Sequence, residues 1–362
     1  MGGPFEETFG KRARRLEARA LAPVSAERVD LCFNPEGLEG GETSDLQSRG
    51  RYRPAAPCGL ARWRGYRDEL EVLHHRWNTV APLARAHRNA SAFPPPTRLM
   101  GIVNVTPDSF SDGGECFEPE AAIEHGLKLI AEGADILDIG GESTRPGARP
   151  VGAEEEIDRV LGVVETLAAK GGVPVSIDTQ KACVARAALA AGATMVNDVS
   201  AGKDPDMFAT VAERGGMICL MHMRGTPEDM QSEPHYRDCV REVTFFLRER
   251  AASALNAGID GSRMILDPGI GFGKRLEDNL ALIRALPELR SLGLPLMLGV
   301  SRKSFLGRLG GEPRAARRAE ETIAALSLGA YLGADLHRVH DVAAARKALS
   351  VITAFPEPAI HT

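Results

Sequence analysis

From residue 98 onward the chain alternates two patterns. Short runs that are apolar at almost every position close on a polar residue, and each gives way to a longer amphipathic stretch of helix length. The runs are LMGIVNV from 99, ADILDIG from 134, VPVSID from 173, TMVND from 194, MICLMHM from 217, MILDPG from 264, PLMLGVS from 295 and DLHRVHD from 335. Strands that alternate with helices predict a parallel sheet, and eight of them predict one closed on itself, an α/β (β/α)8 TIM barrel.

The closing residues are Asn104, Asp138, Asp178, Asn197 with Asp198, His222, Asp267, Ser301 with Arg302, and Arg338 with His340. One polar strand end is ordinary, because it caps the helix that follows. A succession of them at the carboxyl ends of barrel strands converges on one mouth, where such barrels hold their active sites. A pocket is therefore expected there.

The first 97 residues break the pattern. Pro94, Pro95 and Pro96 make a stiff extended connector. Residues 1–97 hold 15 Lys and Arg against 12 Asp and Glu, a balance of +3 that leaves the remainder at −8 within a net charge of −5. Trp63 and Trp77, the two tryptophans, also lie here. The expected organisation is an N-terminal extension over 1–97 with a short surface helix around 11–22, a barrel over 98–355 and a tail over 356–362.

Composition narrows the function classes. An apolar fraction of 43% with 26% charged residues describes a globular protein with a sizeable core. The net charge of −5 and pI near 6.0 give no long-range attraction for nucleic acid or anionic membrane, so neither is an expected partner and any phosphate site must be local. No apolar run approaches the roughly 18 to 20 residues of a membrane span. Glu6, Glu7 and Glu17 count against an organelle transit peptide. Six cysteines without a CxxC pair indicate reduced thiols in a cytoplasm.

Two Gly-rich tips carry candidate chemistry. MGIVNVTPDSFSDGG at 100–114 offers Asn and Asp oxygens, hard ligands suited to a hydrated magnesium ion that also holds diphosphate. Taken alone, it reads equally as an Asx-rich turn capping the next helix. DIGGESTRPGA at 138–148 offers Ser143, Thr144 and Arg145 as donors to anionic oxygens.

These tips occur in one order with SIDT at 176–179, VND at 196–198, LDPGIGFGK at 266–274, GVSRKS at 299–304 and HRVHDV at 337–342. The whole set resembles dihydropteroate synthase over residues 98–355. The resemblance implies a magnesium-dependent transferase, a homodimer of folate biosynthesis and a sulfonamide target. It would join 4-aminobenzoate to a dihydropterin methyl diphosphate.

By the same resemblance, Asp178, Asn197, Asp267, Lys303 and Arg338 bind the pterin, with Met221 and Phe272 packed on its ring. A pterin edge presents N–H donors beside carbonyl and ring-nitrogen acceptors, which carboxylates, an amide and an ammonium match group by group. Asn104, Arg145, Arg338 and His340 bind the diphosphate. Asn104 and Asp112 hold magnesium, and Phe110, Thr144, Ser301 and Arg302 form the 4-aminobenzoate site. Asp178, Asp112 and Lys303 carry the catalytic weight. Without the resemblance, Met221 and Phe272 read as plain core, and Arg338 and His340 as a cap on the last helix.

Two other readings stand beside this one: a pterin-dependent methyltransferase, and a barrel paralogue that has lost activity. GESTRPG and GVSRKS favour the synthase over the first. Retention of both tips and of Asp178, Asn197, Asp267 and Lys303 speaks against the second. His337 and His340 do not read as a zinc pair, because residues three apart on a strand face opposite sides. His337 is expected to pack under a helix.

Overall fold

The computed structural model describes residues 97–106, 119–144, 147–148, 150–290 and 292–355, together with the backbone of four short strands that precede them. Those four are β1 Arg19–Leu21, β2 Arg28–Phe33, β3 Gly50–Arg53 and β4 Ala61–Tyr66. They form an antiparallel sheet in the order β1-β2-β4-β3. Over Arg19–Leu21 this corrects the helix expected around 11–22, since Arg19 pairs with Cys32 and Leu21 with Asp30. β2, with Val29, Leu31 and Phe33 in alternation, supplies the strand that β1 pairs with. Residues 11–18 and Trp77 lie outside the described residues.

All eight barrel strands form where the apolar runs predict them. They are β5 Arg98–Asn104, β6 Ile136–Gly140, β7 Val175–Asp178, β8 Met195–Asp198, β9 Met217–Met221, β10 Met264–Asp267, β11 Met297–Leu298 and β12 Leu336–Val339. Every pairing among them is parallel, in the order β10-β9-β8-β7-β6-β5-β12-β11. A parallel bridge between Leu266 and Leu296 joins the two ends and closes the sheet.

Helices return the chain between strands: α1 Pro119–Ala131, α2 Ala153–Lys170, α3 Ala182–Ala190, α4 Met207–Arg214, α5 Cys239–Asn256, α6 Leu276–Arg284, α7 Leu286–Arg290, α8 Ser304–Gly310, α9 Ala319–Tyr331 and α10 Val342–Ile352. Some of their ends complement the helix dipole. Glu154, Glu155 and Glu156 open α2 and Lys170 closes it, while Asp238 caps α5 by accepting from the Arg241 amide at 3.1 Å. No helix among the described residues is long and apolar enough to cross a membrane.

The two-residue period of the strands separates two cores. Leu99, Val103, Leu137, Ile139, Val175, Ile177, Val196, Leu220, Leu266, Leu298 and Val339 face outward and join Leu129, Leu167, Leu247 and Leu326 of the helices in one apolar shell. Met100, Ile136, Met195, Cys219, Ile265, Met297 and Leu336 face inward and fill the barrel as a distinct apolar layer. That inner layer is the floor of the site.

Candidate active site

Two residues further along five of the strands, on the same inward face, the floor gives way to different chemistry. Asp138 follows Ile136, Asn197 follows Met195, Met221 follows Cys219, Asp267 follows Ile265 and Arg338 follows Leu336. Asp178 ends β7 at the same level, opposite Asn197 in the register. All but Arg338, which is half-buried, are at most 7% exposed.

Arg338 ties one side of the mouth together. Its Nε donates to Asp138 Oδ2 at 2.6 Å and its Nη2 to Asp178 Oδ2 at 2.7 Å. Asn197 Nδ2 donates to the same Asp138 oxygen at 3.0 Å. The second carboxylate oxygens, Asp138 Oδ1 and Asp178 Oδ1, and the amide oxygen Asn197 Oδ1 are buried and have no hydrogen-bond partner. Burial pushes the Asp178 carboxyl up to about 7 against the pull of Arg338, and the negative charge of Asp138 adds to the rise. The same pair of carboxylates drives the Arg338 guanidinium upward despite its own burial.

The opposite side is built on the loop after β10. Asp267 Oδ1 accepts from the Gly269 amide at 2.7 Å, and burial outweighs that bond to raise its pKa. Lys303 Nζ donates to the Ile270 carbonyl and lies 4.0 Å from the centre of the Phe272 ring. Burial pushes the Lys303 ammonium down to about 7 while Asp267 opposes the shift. Met221 is 3% exposed and reaches this loop, its Cγ 3.2 Å from where a side chain on Gly269 would begin.

At the rim, Ser301 Oγ lies 2.9 Å from His340 Nδ1 and accepts from the His340 amide at 3.2 Å. Arg302 occupies the left-handed region at φ 58°. Its amide donates to Thr322 Oγ1 at 2.9 Å, its carbonyl accepts from Arg318 at 2.9 Å, and its guanidinium pairs with both oxygens of Asp341 at 3.1 and 2.6 Å. A non-glycine residue in that conformation persists where its surroundings over-determine it, as these do. Asn104 and Thr144 are half-buried at the ends of β5 and of the second tip's described start.

Phe110, Asp112 and Arg145 lie outside the described residues. Two of the polar strand ends do not reach the mouth. Asp198 has outward parity and caps a turn, accepting from Ser200 Oγ, the Ser200 amide and the Gly202 amide at 2.6, 2.8 and 2.6 Å. His222 likewise points away, 3.0 Å from the Lys274 ammonium. Conversely, Asp138 has no role in the sequence reading beyond a polar strand end, yet it is the hub of the Arg338 and Asn197 bonds. Its inward parity with Ile136 was the signal available. Among the described residues, no group of three His, Cys, Asp or Glu is placed to hold a metal.

A closed (β/α)8 barrel whose mouth gathers buried carboxylates, an amide and cations over an apolar floor has the features of the pterin-binding enzymes, and the family model described as pterin binding enzyme matches residues 100–340. The dihydropteroate synthase of Neisseria meningitidis serogroup B is 49% identical over 262 residues, 70% of this chain and 91% of that one. That of Mycobacterium leprae is 48% identical over 72% of this chain and 94% of its own. Among solved structures, Xanthomonas albilineans dihydropteroate synthase with 4-aminobenzoic acid superposes with a TM-score of 0.68 at 52% identity, covering 72% of this chain and 94% of that one. The Thermus thermophilus enzyme in complex with 6HMPPP gives 0.63 at 43% identity, over 72% and 94% of the two chains. The chain belongs to the dihydropteroate synthase family. Its activity is accordingly that of a transferase acting on small molecules.

Proposed function

We propose that the barrel mouth binds a dihydropterin methyl diphosphate and delivers its methylene carbon to the amine of 4-aminobenzoate, giving dihydropteroate and diphosphate. The observation that carries this reading is the set of buried acceptors without partners, Asp138 Oδ1, Asp178 Oδ1 and Asn197 Oδ1. Buried acceptors left unmade are costly, and a planar ring edged with N–H donors satisfies them together. Asp267 receives further donors from the same edge, and Lys303 donates to its acceptors. Met221 and Phe272 bracket the ring.

Asp178 has a second duty. As the carbon–oxygen bond breaks ahead of carbon–nitrogen bond formation, positive charge develops on the pterin, and an adjacent carboxylate stabilises it. Arg338 orients Asp178 through their 2.7 Å bond and supplies positive charge toward the departing diphosphate with His340, Asn104 and Arg145. Magnesium, when bound, neutralises diphosphate charge. Asn104 and Asp112 would hold it through their side-chain oxygens, and it would supply positive charge to the departing diphosphate. Phe110, Thr144, Ser301 and Arg302 receive the 4-aminobenzoate, whose own amine attacks once the two tips exclude water.

The 98–355 barrel is the catalytic unit and residues 1–97 a separable extension, working in a cytoplasmic homodimer. A chain lacking residues 1–95 keeps its activity on this reading; loss of all soluble protein would make the extension part of the core. The reaction itself is tested by pyrophosphate release, which should require magnesium and both substrates and should be inhibited by sulfonamides competing with 4-aminobenzoate. Release with another amine and none with 4-aminobenzoate would end the assignment.

A further inference from the structure

Lys274 closes the LDPGIGFGK stretch and has no part in the reaction described above. It is 4% exposed, and no carboxylate among the described residues lies within ion-pair distance of it. Its Nζ donates instead to uncharged groups: Gly269 O at 2.8 Å, Phe272 O at 3.0 Å and His222 O at 3.2 Å, with His222 Nδ1 at 3.0 Å. Burial pushes the ammonium down to about 7 and keeps the His222 ring neutral, so that Nδ1 accepts. Four acceptors around three protons leave no hydrogen of the ammonium unused.

The loop it holds has no sheet partner for its carbonyls. Gly269, Gly271 and Gly273 take φ values of 67°, 82° and 60°, and a side chain on Gly269 would start 1.9 Å from the His222 carbonyl oxygen. Five successive carbonyls are held by side chains. Lys274 holds those of Gly269 and Phe272, Lys303 that of Ile270, Gln231 that of Gly271 at 2.8 Å and the Tyr236 hydroxyl that of Gly273 at 2.7 Å. Phe272, the aromatic that carries the Lys303 ammonium, sits on this loop, and its own carbonyl is one of the two that Lys274 clamps.

We propose that Lys274 is a positioning residue for the pterin pocket, clamping the 269–273 loop to the exit of β9 and so setting where the Phe272 ring and the Lys303 ammonium stand. The inference rests on the placement of Phe272 and Lys303 against the pterin. A lysine is required here because an apolar side chain of the same length would strand the Phe272 and His222 carbonyls and a ring nitrogen away from water, and would leave the Gly269 carbonyl only the Phe272 amide at 3.1 Å.

The test is calorimetry of a non-reactive pterin on the full chain carrying Lys274→Met, Phe272→Ala, or both. Lys274→Met should weaken pterin binding roughly tenfold, while KM for 4-aminobenzoate at saturating pterin diphosphate stays within about twofold. In the Phe272→Ala background the penalty should shrink to about twofold, because the ring being positioned is gone. Unchanged pterin affinity with a lowered thermal midpoint would leave Lys274 a purely structural group and overturn the proposal, as would equal penalties in both backgrounds. Unchanged affinity in Phe272→Ala alone would instead strike the pocket assignment, and the proposal with it. Should Lys274→Met be recovered only as aggregate, Tyr236→Phe releases the same loop by one bond. A roughly threefold loss supports the clamp, and no loss overturns it.

Discussion

His337 and Arg338 are neighbours on β12, and their side chains enter opposite regions of the barrel. His337 faces the shell between strands and helices, fully buried, with neither ring nitrogen hydrogen-bonded and its Cε1 3.1 Å from where a side chain on Gly329 would begin. Burial alone pushes its pKa down to about 3, so the ring stays neutral. It does pack under a helix, α9, as the sequence suggested. Arg338 faces the interior and keeps its charge because Asp138 and Asp178 meet it. The shell around His337 is equally dry but offers that ring no partner, so the imidazole stays uncharged. The mouth collects charges because each helps to pay for another's burial, and the acceptors left over are available to a ligand.

The difference is most severely tested by removing the hub. Arg338→Met strands Asp138 and Asp178 together, at an expected cost of about 3 to 5 kcal/mol, and pyrophosphate release should fall to background. Substantial turnover in that variant would show that the mouth is not where the reaction occurs. Leu137→Ala, a fully buried shell position, should cost about 2 to 4 kcal/mol in urea unfolding while turnover per folded molecule stays nearly unchanged. A selective loss of kcat there would erase the division between the two regions.

Smaller effects sharpen it. Asp267→Asn replaces an acceptor with a donor amide, and calorimetry should show pterin binding weakened by about 1 to 3 kcal/mol with the folding midpoint little moved. Asp178, whose carboxyl is raised to about 7, supplies a pH test. Pterin donors select the carboxylate, so binding releases a proton below that pH and affinity should fall by up to about tenfold per pH unit as the solution is acidified. Asp178→Asn should flatten this slope, and a slope that survives belongs to another group.

His337→Leu should give the smallest change, a gain of about 1 kcal/mol from relieving unpartnered nitrogens. Its sign with pH follows from the depressed pKa. Between the ordinary 6.5 and about 3 the unfolded chain takes up a proton that the folded chain refuses, so stability is lost as pH falls through that range. Thermal melts at pH 7 and 5 should therefore lie closer together in the variant, the share of the buried His222 remaining. Melts as widely separated as in the parent would place the acid sensitivity elsewhere.

Much of the barrel was legible before any coordinates. Runs such as LMGIV and MICLM are apolar on both faces because both faces are buried, and that property belongs to the local sequence. The polar strand ends pointed to one mouth, and Asp178, Asn197, Asp267, Lys303 and Arg338 are found there. The extension was not legible. A strand of three residues such as Arg19–Leu21 carries too little pattern of its own, and its antiparallel partner β2 determines its state.

Tertiary structure alone decided which face each polar residue took and what it met. Asn197 and Asp198 are adjacent and both polar, yet one binds in the mouth and the other caps a turn, because side chains alternate along a strand and the sheet's register selects the parity. Asp138 became the centre of the site through a bond to Arg338 across 200 positions of sequence. Arg302 entered the left-handed region because Thr322, Arg318 and Asp341 hold it at three points. Sequence determines the apolar period and the kinds of groups available; long-range closure of the sheet determines which of those groups are brought within hydrogen-bonding distance.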